Sequence, residues 1–310
     1  MSLKIDFAGP LTTVQDLGRF GYRQDGFGTS GAMDRRAAVT ANRLVGNGDD
    51  AALLEMTLWG IKATALDRAL VCLCGGDFPF LVNGEKKPMN TPVAVSAGDT
   101  IQVGAAAKGC RAYLAVRGGF DVPMVSGSRS TNLKCAVGGF QGRRLAVGDI
   151  LPVMPAAPKA AEENTFPVEP YFGPSVTVRA IRGPQAERFS AEAVQTFFSS
   201  EYTVTPQSDR MGVRLSGAPI IAEKGVDILS DGIVFGNVQV PKNGQPILLL
   251  SDAQTTGGYA KIATVIAADH PTLGQLRPGD RIRFEECTLS EARRLYKEQE
   301  KRLPKAIKER

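Results

Sequence analysis

Pro92-Val93-Ala94-Val95-Ser96-Ala97-Gly98-Asp99-Thr100-Ile101-Gln102-Val103 holds two short runs joined by a tight turn. Thr100–Val103 alternates polar and apolar residues, the period of a half-buried strand. Between the runs, Gly98 supplies a backbone that reaches positive φ, and the Asp99 carboxylate can bond its own turn. The same device, a Gly-Asp turn feeding a strand, recurs at Gly148-Asp149-Ile150 and at Gly279-Asp280-Arg281-Ile282. It fits ordinary turn chemistry, and it also fits two related barrel-like halves.

Working outward, most periodic segments are short and read as strands. In the first half they are Leu3–Phe7, Leu70–Cys74, Pro92–Val95, Thr100–Val103 and Arg111–Val116. In the second they are Val176–Ile181, Tyr202–Thr205, Val226–Leu229, Ile247–Leu250 and Arg281–Phe284. No regular helical pattern separates them, so a doubly wound α/β sheet is excluded and the fold class is mainly β. Three helices are expected. Asp34–Val45 opens on an aspartate and stops at Gly46-Asn47. Pro184–Ser199 carries Phe189, Ala193, Val194, Phe197 and Phe198 on one stripe. The last starts at Thr288 with a capping box completed by Glu291. The Ala-, Pro- and Glu-rich stretch Pro155–Pro174 reads as a linker. The expected organisation is an N-terminal subdomain over 1–155, a linker over 156–174, a C-terminal subdomain over 175–287 and a basic helix over 288–310.

Composition narrows the function. The chain has 310 residues with 34 glycines and 19 prolines, about one residue in six, which favours turns and short strands. There is one histidine, His270, so an HExxH zinc site or a multi-histidine metal centre is excluded. No metal site is expected. A Ser-His-Asp triad would have to use His270, which reads better as a strand-end or turn residue before Pro271. The five cysteines, Cys72, Cys74, Cys110, Cys135 and Cys287, form no CxxC pair and read as reduced core thiols. No apolar run approaches the roughly 18–20 residues of a membrane span, and Met1–Asp6 begins no signal peptide, so a cytoplasmic location is expected. GxxxxGK[ST], GxSxG and SxxK are absent, and no Met-Lys-Met-like segment could carry biotin. Gly26, Gly28 and Gly31 match GxGxxG, yet no apolar strand precedes them, so dinucleotide binding is set aside.

Three polar concentrations remain. Gln15, Asp16, Arg19, Tyr22 and Arg23 crowd one Gly-broken loop. Ser128-Arg129-Ser130-Thr131-Asn132 is followed by Gly138-Gly139-Phe140 and Arg143-Arg144. The strand Ile247–Leu250 ends in Ser251-Asp252-Ala253-Gln254-Thr255-Thr256-Gly257-Gly258-Tyr259, with Gln239-Val240-Pro241 nearby in sequence. Guanidinium forks suit carboxylates and phosphates. A Gly-Gly backbone beside hydroxyls and an amide suits an oxyanion. Each stretch also fits a solvated polar loop.

These loops carry a family resemblance. Gly9-Pro10-Leu11-Thr12-Thr13-Val14-Gln15-Asp16-Leu17-Gly18-Arg19-Phe20-Gly21-Tyr22, Gly31-Ala32-Met33-Asp34, Asn42–Asn47, Gly127–Thr131, Asp209-Arg210-Met211-Gly212, Gln239-Val240-Pro241 and Gln254–Tyr259 resemble the family of carboxyltransferases and allophanate hydrolase second subunits, over the chain to about Glu285. The resemblance implies two cyclophilin-like β-barrel subdomains. Stand-alone members of about this length resemble the C component of an ATP-dependent 5-oxoprolinase, a hydrolase that opens the 5-oxo-L-proline lactam to L-glutamate with partner subunits A and B. On that reading no cofactor is covalently bound here, and ATP is used by the complex at a partner subunit. Gln254, Thr255, Thr256 and Tyr259 would be the catalytic loop, donating hydrogen bonds to a developing oxyanion. Arg19, Tyr22, Arg129, Arg210, Gln239, Gly257 and Gly258 would bind the small amide or lactam substrate.

The same resemblance leaves two other functions open. One is a carboxyltransferase component acting on urea or a related amide with a partner's carboxybiotin. The other is a non-enzymatic regulator binding a kinase-inhibitor-like protein. Nucleic acid is not an expected partner. The net charge of +5 sits mostly in residues 288–310, where eight Lys or Arg face four Glu. That tail reads as a solvated capping helix, or as a docking helix with Leu289, Ala292, Tyr296, Gln299 and Leu303 on its inner stripe.

Overall fold

The computed structural model describes residues 1–157 and 165–305. They form a mainly β protein that divides into two compact units, 1–20 with 30–157, 165–170 and 303–305, and 21–29 with 171–302. Residues 158–164 of the expected linker and 306–310 of the expected tail lie outside the described residues. Just past the first gap, Thr165 Oγ1 lies 2.8 Å from Thr91 Oγ1, and Phe166 N donates to Asn90 O.

The first unit contains two sheets. One runs in the order Ile150–Pro152, Ser2–Phe7, Lys62–Ala65, Thr100–Val103, Phe80–Val82 and Glu85–Lys86. The other runs Thr12–Gln15, Leu53–Thr57, Lys108–Val116, Ala69–Asp77 and Val93–Val95. Alternate residues of both sheets, among them Leu3, Ile5, Ala63, Ile101, Leu54, Val71, Leu73 and Leu114, bury one apolar core. The helix Arg35–Val45 covers the outer side of the second sheet. It packs Ala37, Ala38, Ala41 and Val45 on Leu53, Leu70, Cys72, Cys74 and Tyr113. Its ends follow the sequence. Asp34 accepts from Ala37 N, and Gly46 takes the left-handed conformation that ends the helix.

In the second unit seven strands close a barrel in the order Ser175–Arg182, Lys261–Val265, Asn237–Gln239, Ile247–Leu249, Gly212–Ser216, Glu201–Val204 and Arg281–Glu286. Closure is made by a parallel pair, with Val176 opposite Ile282 and Val178 opposite Phe284. Closure leaves no sheet edge exposed. Phe197, from the helix Ala191–Ser199, stacks on Phe284 with centroids 4.5 Å apart, and Tyr202 packs beside them. A separate two-stranded ribbon, Asp227–Gly232 with Thr256–Tyr259, completes the unit.

The three Gly-Asp turns adopt one geometry. Gly98, Gly148 and Gly279 have φ of 89°, 91° and 92°, as the third position of a type II turn requires. Each following aspartate accepts from the amide three residues back: Asp99 from Ser96, Asp149 from Ala146 and Asp280 from Arg277. Each glycine N–H bonds the preceding strand system, at Ala65, Ile5 and Val204. Turn chemistry therefore explains the repeat in both units.

Three expectations need correcting. The helix expected over Pro184–Ser199 forms only over Ala191–Ser199. Ser190 caps it by accepting from Ala193 N, while Ala186–Arg188 makes a separate 3-10 turn. A serine cap outcompetes the upstream glycine-proline start. The last helix, Leu289–Lys301, has both halves of its capping box, but its phase is shifted. Leu289 and Tyr296 are exposed, and the half-buried residues are Ala292, Leu295, Glu298 and Gln299. Gln299 Nε2 donates to Ala268 O at 3.0 Å. Cys72, Cys74 and Cys110 are buried as expected of core thiols, whereas Cys135 is exposed and Cys287 half-buried.

Candidate functional site

The second unit brings together several of the expected site residues. The apolar strand Ile247–Leu249 delivers the chain to a polar turn, and the ribbon strand Thr256–Tyr259 then leads into the barrel strand Lys261–Val265. Gln239 lies opposite Lys261 on neighbouring barrel strands. The pairing, at a register irregularity beside Val238, brings the backbones of the two residues side by side.

Gly257 marks where the amides converge. A Cβ there would fall 2.7 Å from Gln239 Nε2, 3.5 Å from Gln254 Nε2 and 2.5 Å from Ile233 Cδ1. Only glycine lets these side chains pack so closely on the ribbon backbone. Gln239 is buried and donates to Tyr259 O at 3.3 Å, which fixes its orientation. The Gln254 side chain is exposed. Thr255 is half-buried; its carbonyl accepts from Ile233 N at 3.0 Å. Thr256 and Tyr259 are exposed, and Gly258 is half-buried.

Arg23 anchors this loop. Its Nη2 donates to Thr255 O at 3.0 Å and to Ile233 O, and Nη1 reaches Thr29 Oγ1 at 3.3 Å. The segment that carries Tyr22, which is exposed, is thereby tied to the Gln254–Tyr259 loop. The guanidinium spans two main-chain carbonyls and fixes the start of the ribbon.

Next to the amides lies a charge pair that no sequence motif signals. Lys261 is 1% exposed, and its Nζ donates to Asp231 Oδ2 at 2.9 Å. Asp231 stands on the ribbon opposite Gly257 and is exposed. Lys261, the Gly232 amide and Gln185 together hold its carboxyl below the usual range. Gln185 also accepts from Lys261 N at 3.2 Å. The available signal was a lysine opening an otherwise apolar barrel strand, but its partner is 30 residues away and invisible to local periodicity.

The expected arginines have other duties. Arg210 is buried and forms a two-pronged pair with Asp252, Nε to Oδ2 at 2.8 Å and Nη2 to Oδ1 at 3.2 Å, while Asp252 N donates to Arg210 O. That pair pins the start of the polar turn. In the first unit Arg19 is 1% exposed and donates to Val125 O at 2.9 Å and Ser130 O at 3.1 Å. Arg129 is half-buried, with Nε on Val122 O at 3.1 Å. Asp16 gathers the same loops. It accepts from Gly18 N, Ser128 Oγ and Ser130 Oγ on one oxygen and from Arg129 N on the other. These contacts make Arg19, Arg129 and Arg210 positioning groups for their loops.

His270 begins the short helix His270–Gly274. Its Nε2 lies 3.2 Å from Val265 O and its ring packs on Phe235. Desolvation lowers its pKa to about 4, so the imidazole is neutral at physiological pH. No group of three His, Cys, Asp or Glu among the described residues is placed to hold a metal. No helix among them is long and apolar enough to cross a membrane.

Comparison with known proteins agrees with this architecture. The model of the carboxyltransferase domain, subdomain A and B, matches residues 25–286. The chain is 39% identical to the C component of 5-oxoprolinase from Escherichia coli, over 96% of both chains. It is 34% identical to urea amidolyase of Lachancea kluyveri, covering 96% of this chain but 18% of that protein. The solved structure of Kluyveromyces lactis urea carboxylase superposes with a TM-score of 0.92 at 31% identity, over 97% of this chain and 29% of that one.

Proposed function

The chain belongs to the carboxyltransferase domain family, subdomains A and B, and from that premise we propose that it is the C component of an ATP-dependent 5-oxoprolinase, opening 5-oxo-L-proline to L-glutamate with subunits A and B. The observation that carries this reading is the match over 96% of both chains to the C component of a 5-oxoprolinase, against 18% of the urea amidolyase. A lactam carbonyl is a poor electrophile. ATP activates it when its γ-phosphoryl group is transferred to the carbonyl oxygen; water then adds to the carbon, the ring C–N bond breaks as the nitrogen takes a proton, and a second water hydrolyses the resulting acyl phosphate to glutamate and phosphate. The sequence has no recognised phosphate loop, which supports placing ATP on a partner. In this scheme the Gln239 and Gln254 amides donate to the oxygen delivered by water as negative charge builds on it in the tetrahedral adduct. Thr255, Thr256 and Tyr259 line the same turn. A cytoplasmic complex is part of the proposal, supported by the cysteine pattern.

A second reading rests on the urea carboxylase likeness: transfer of a carboxyl group to a small amide from a partner's carboxybiotin. Reconstitution separates the two. The chain is combined with candidate subunits A and B, and 5-oxoproline-dependent ATP hydrolysis and glutamate formation are measured. We expect both activities to require this chain. Full activity without it refutes the reading, and urea-dependent turnover with a biotinylated partner favours the second.

A further inference from the structure

Lys261 is an unusual group to find inside a barrel wall. Its ammonium carries three N–H donors, yet among the described residues the acceptor within reach of Nζ is Asp231 Oδ2. Burying a charge is costly unless it is both paired and hydrogen-bonded. The two partners are also unequal. The Lys261 side chain is 1% exposed and held in the barrel strand, whereas the Asp231 side chain is 52% exposed on a two-stranded ribbon. The carboxylate can leave into water; the ammonium cannot. Gln239 pairs with Lys261 across the ladder, and the Gln239 and Gln254 amide nitrogens both pack towards Gly257, which pairs with Asp231 on the ribbon. The ribbon pair of Asp231 and Gly257 thus joins a cation with spare donors to two carboxamides suited to a neutral carbonyl or amide.

We propose that Lys261 is the specificity residue of this site, binding the carboxylate of a small amide-bearing acid in exchange for Asp231 while the Gln239 and Gln254 side chains hold the ligand's amide. The assignment rests on the reading of the Gln239, Gln254 and Gly257 cluster as the substrate site. It adds the group that reads the ligand's charge. Asp231 is then a resident stand-in that keeps the ammonium paired until the acid arrives. Charge-assisted hydrogen bonds are strong enough for loss of this one to cost about tenfold or more in affinity.

The test is direct calorimetric binding to the full chain, alone and in the reconstituted complex. Two ligand pairs serve as probes: 5-oxo-L-proline with its neutral carboxamide, and N-carbamoylglycine with its neutral amide. At least one acid should bind about tenfold tighter than its neutral partner. In Lys261→Met that preference disappears through loss of the acid, with the neutral ligand unchanged. Asp231→Asn, which keeps an oxygen acceptor for the buried ammonium and is used after circular dichroism shows it folded, should tighten acid binding severalfold. The proposal is overturned if wild type shows no preference for either acid, if it binds none of the four, or if Asp231→Asn and a folded Lys261→Met both bind as wild type. Failure of the 5-oxoprolinase reading looks different: the complex would not turn over 5-oxoproline, while a Lys261-dependent charge preference persisted for the other acid.

Discussion

Arg19 and Arg210 have the residue type of anion receptors and the surroundings of structural clamps. A guanidinium aimed at a carboxylate ligand and one aimed at a main-chain carbonyl are indistinguishable in sequence. The acceptors of Arg19 lie 106 and 111 residues away, and the Asp252 carboxylate that occupies Arg210 lies 42 residues away. Long-range pairing of this kind leaves no periodicity to read. The Arg210–Asp252 pair gives a clear expectation. Both side chains are nearly excluded from solvent, so Asp252→Ala strands a buried cation and costs about 3–5 kcal/mol. Replacing both partners with apolar residues of similar volume should cost much less. Denaturant melts of the two variants check this, and an equal loss in both would contradict it. Lys261 is the converse case: a residue with no recognisable motif whose burial makes it chemically prominent.

At the scale of elements, local chemistry was the legible part. The Gly-Asp turns, the Asp34 and Thr288 caps and the period-two strands all form where the side chains call for them. The helix around residue 191 begins late because Ser190 is a better start than Pro184. The final helix turns Ala292, Leu295 and Gln299 inward, where Gln299 is bonded to Ala268 O. Strand order could not be read, since the barrel closes by pairing Ser175–Arg182 with Arg281–Glu286, about a hundred residues apart. His270 makes its element pH-sensitive. The folded imidazole, with pKa about 4, resists protonation, while the unfolded one titrates near 6.5. The unfolded state therefore binds more protons between those values, and stability present above about pH 6.5 is lost as pH falls to about 4. The loss is at most about 3 kcal/mol. His270→Gln should flatten that part of a stability-pH profile, and an unchanged slope would assign it to other groups.

For the whole molecule, the family match spans both compact units, and the +5 net charge is concentrated outside it. The basic helix Leu289–Lys301 has no buried residue. Charge is therefore a property of the tail and gives no information about the candidate site. The site's material is instead two amides packed around a glycine and one buried ammonium, which suits a subunit that holds and polarises a substrate activated elsewhere. The most direct test of that claim is kcat for the reconstituted complex carrying Gln254→Ala, an exposed side chain whose loss leaves the barrel unchanged. Removing an oxyanion donor predicts a fall of about 10²–10³ in kcat with subunit assembly intact. Wild-type kcat in a fully assembled Gln254→Ala complex would contradict the account.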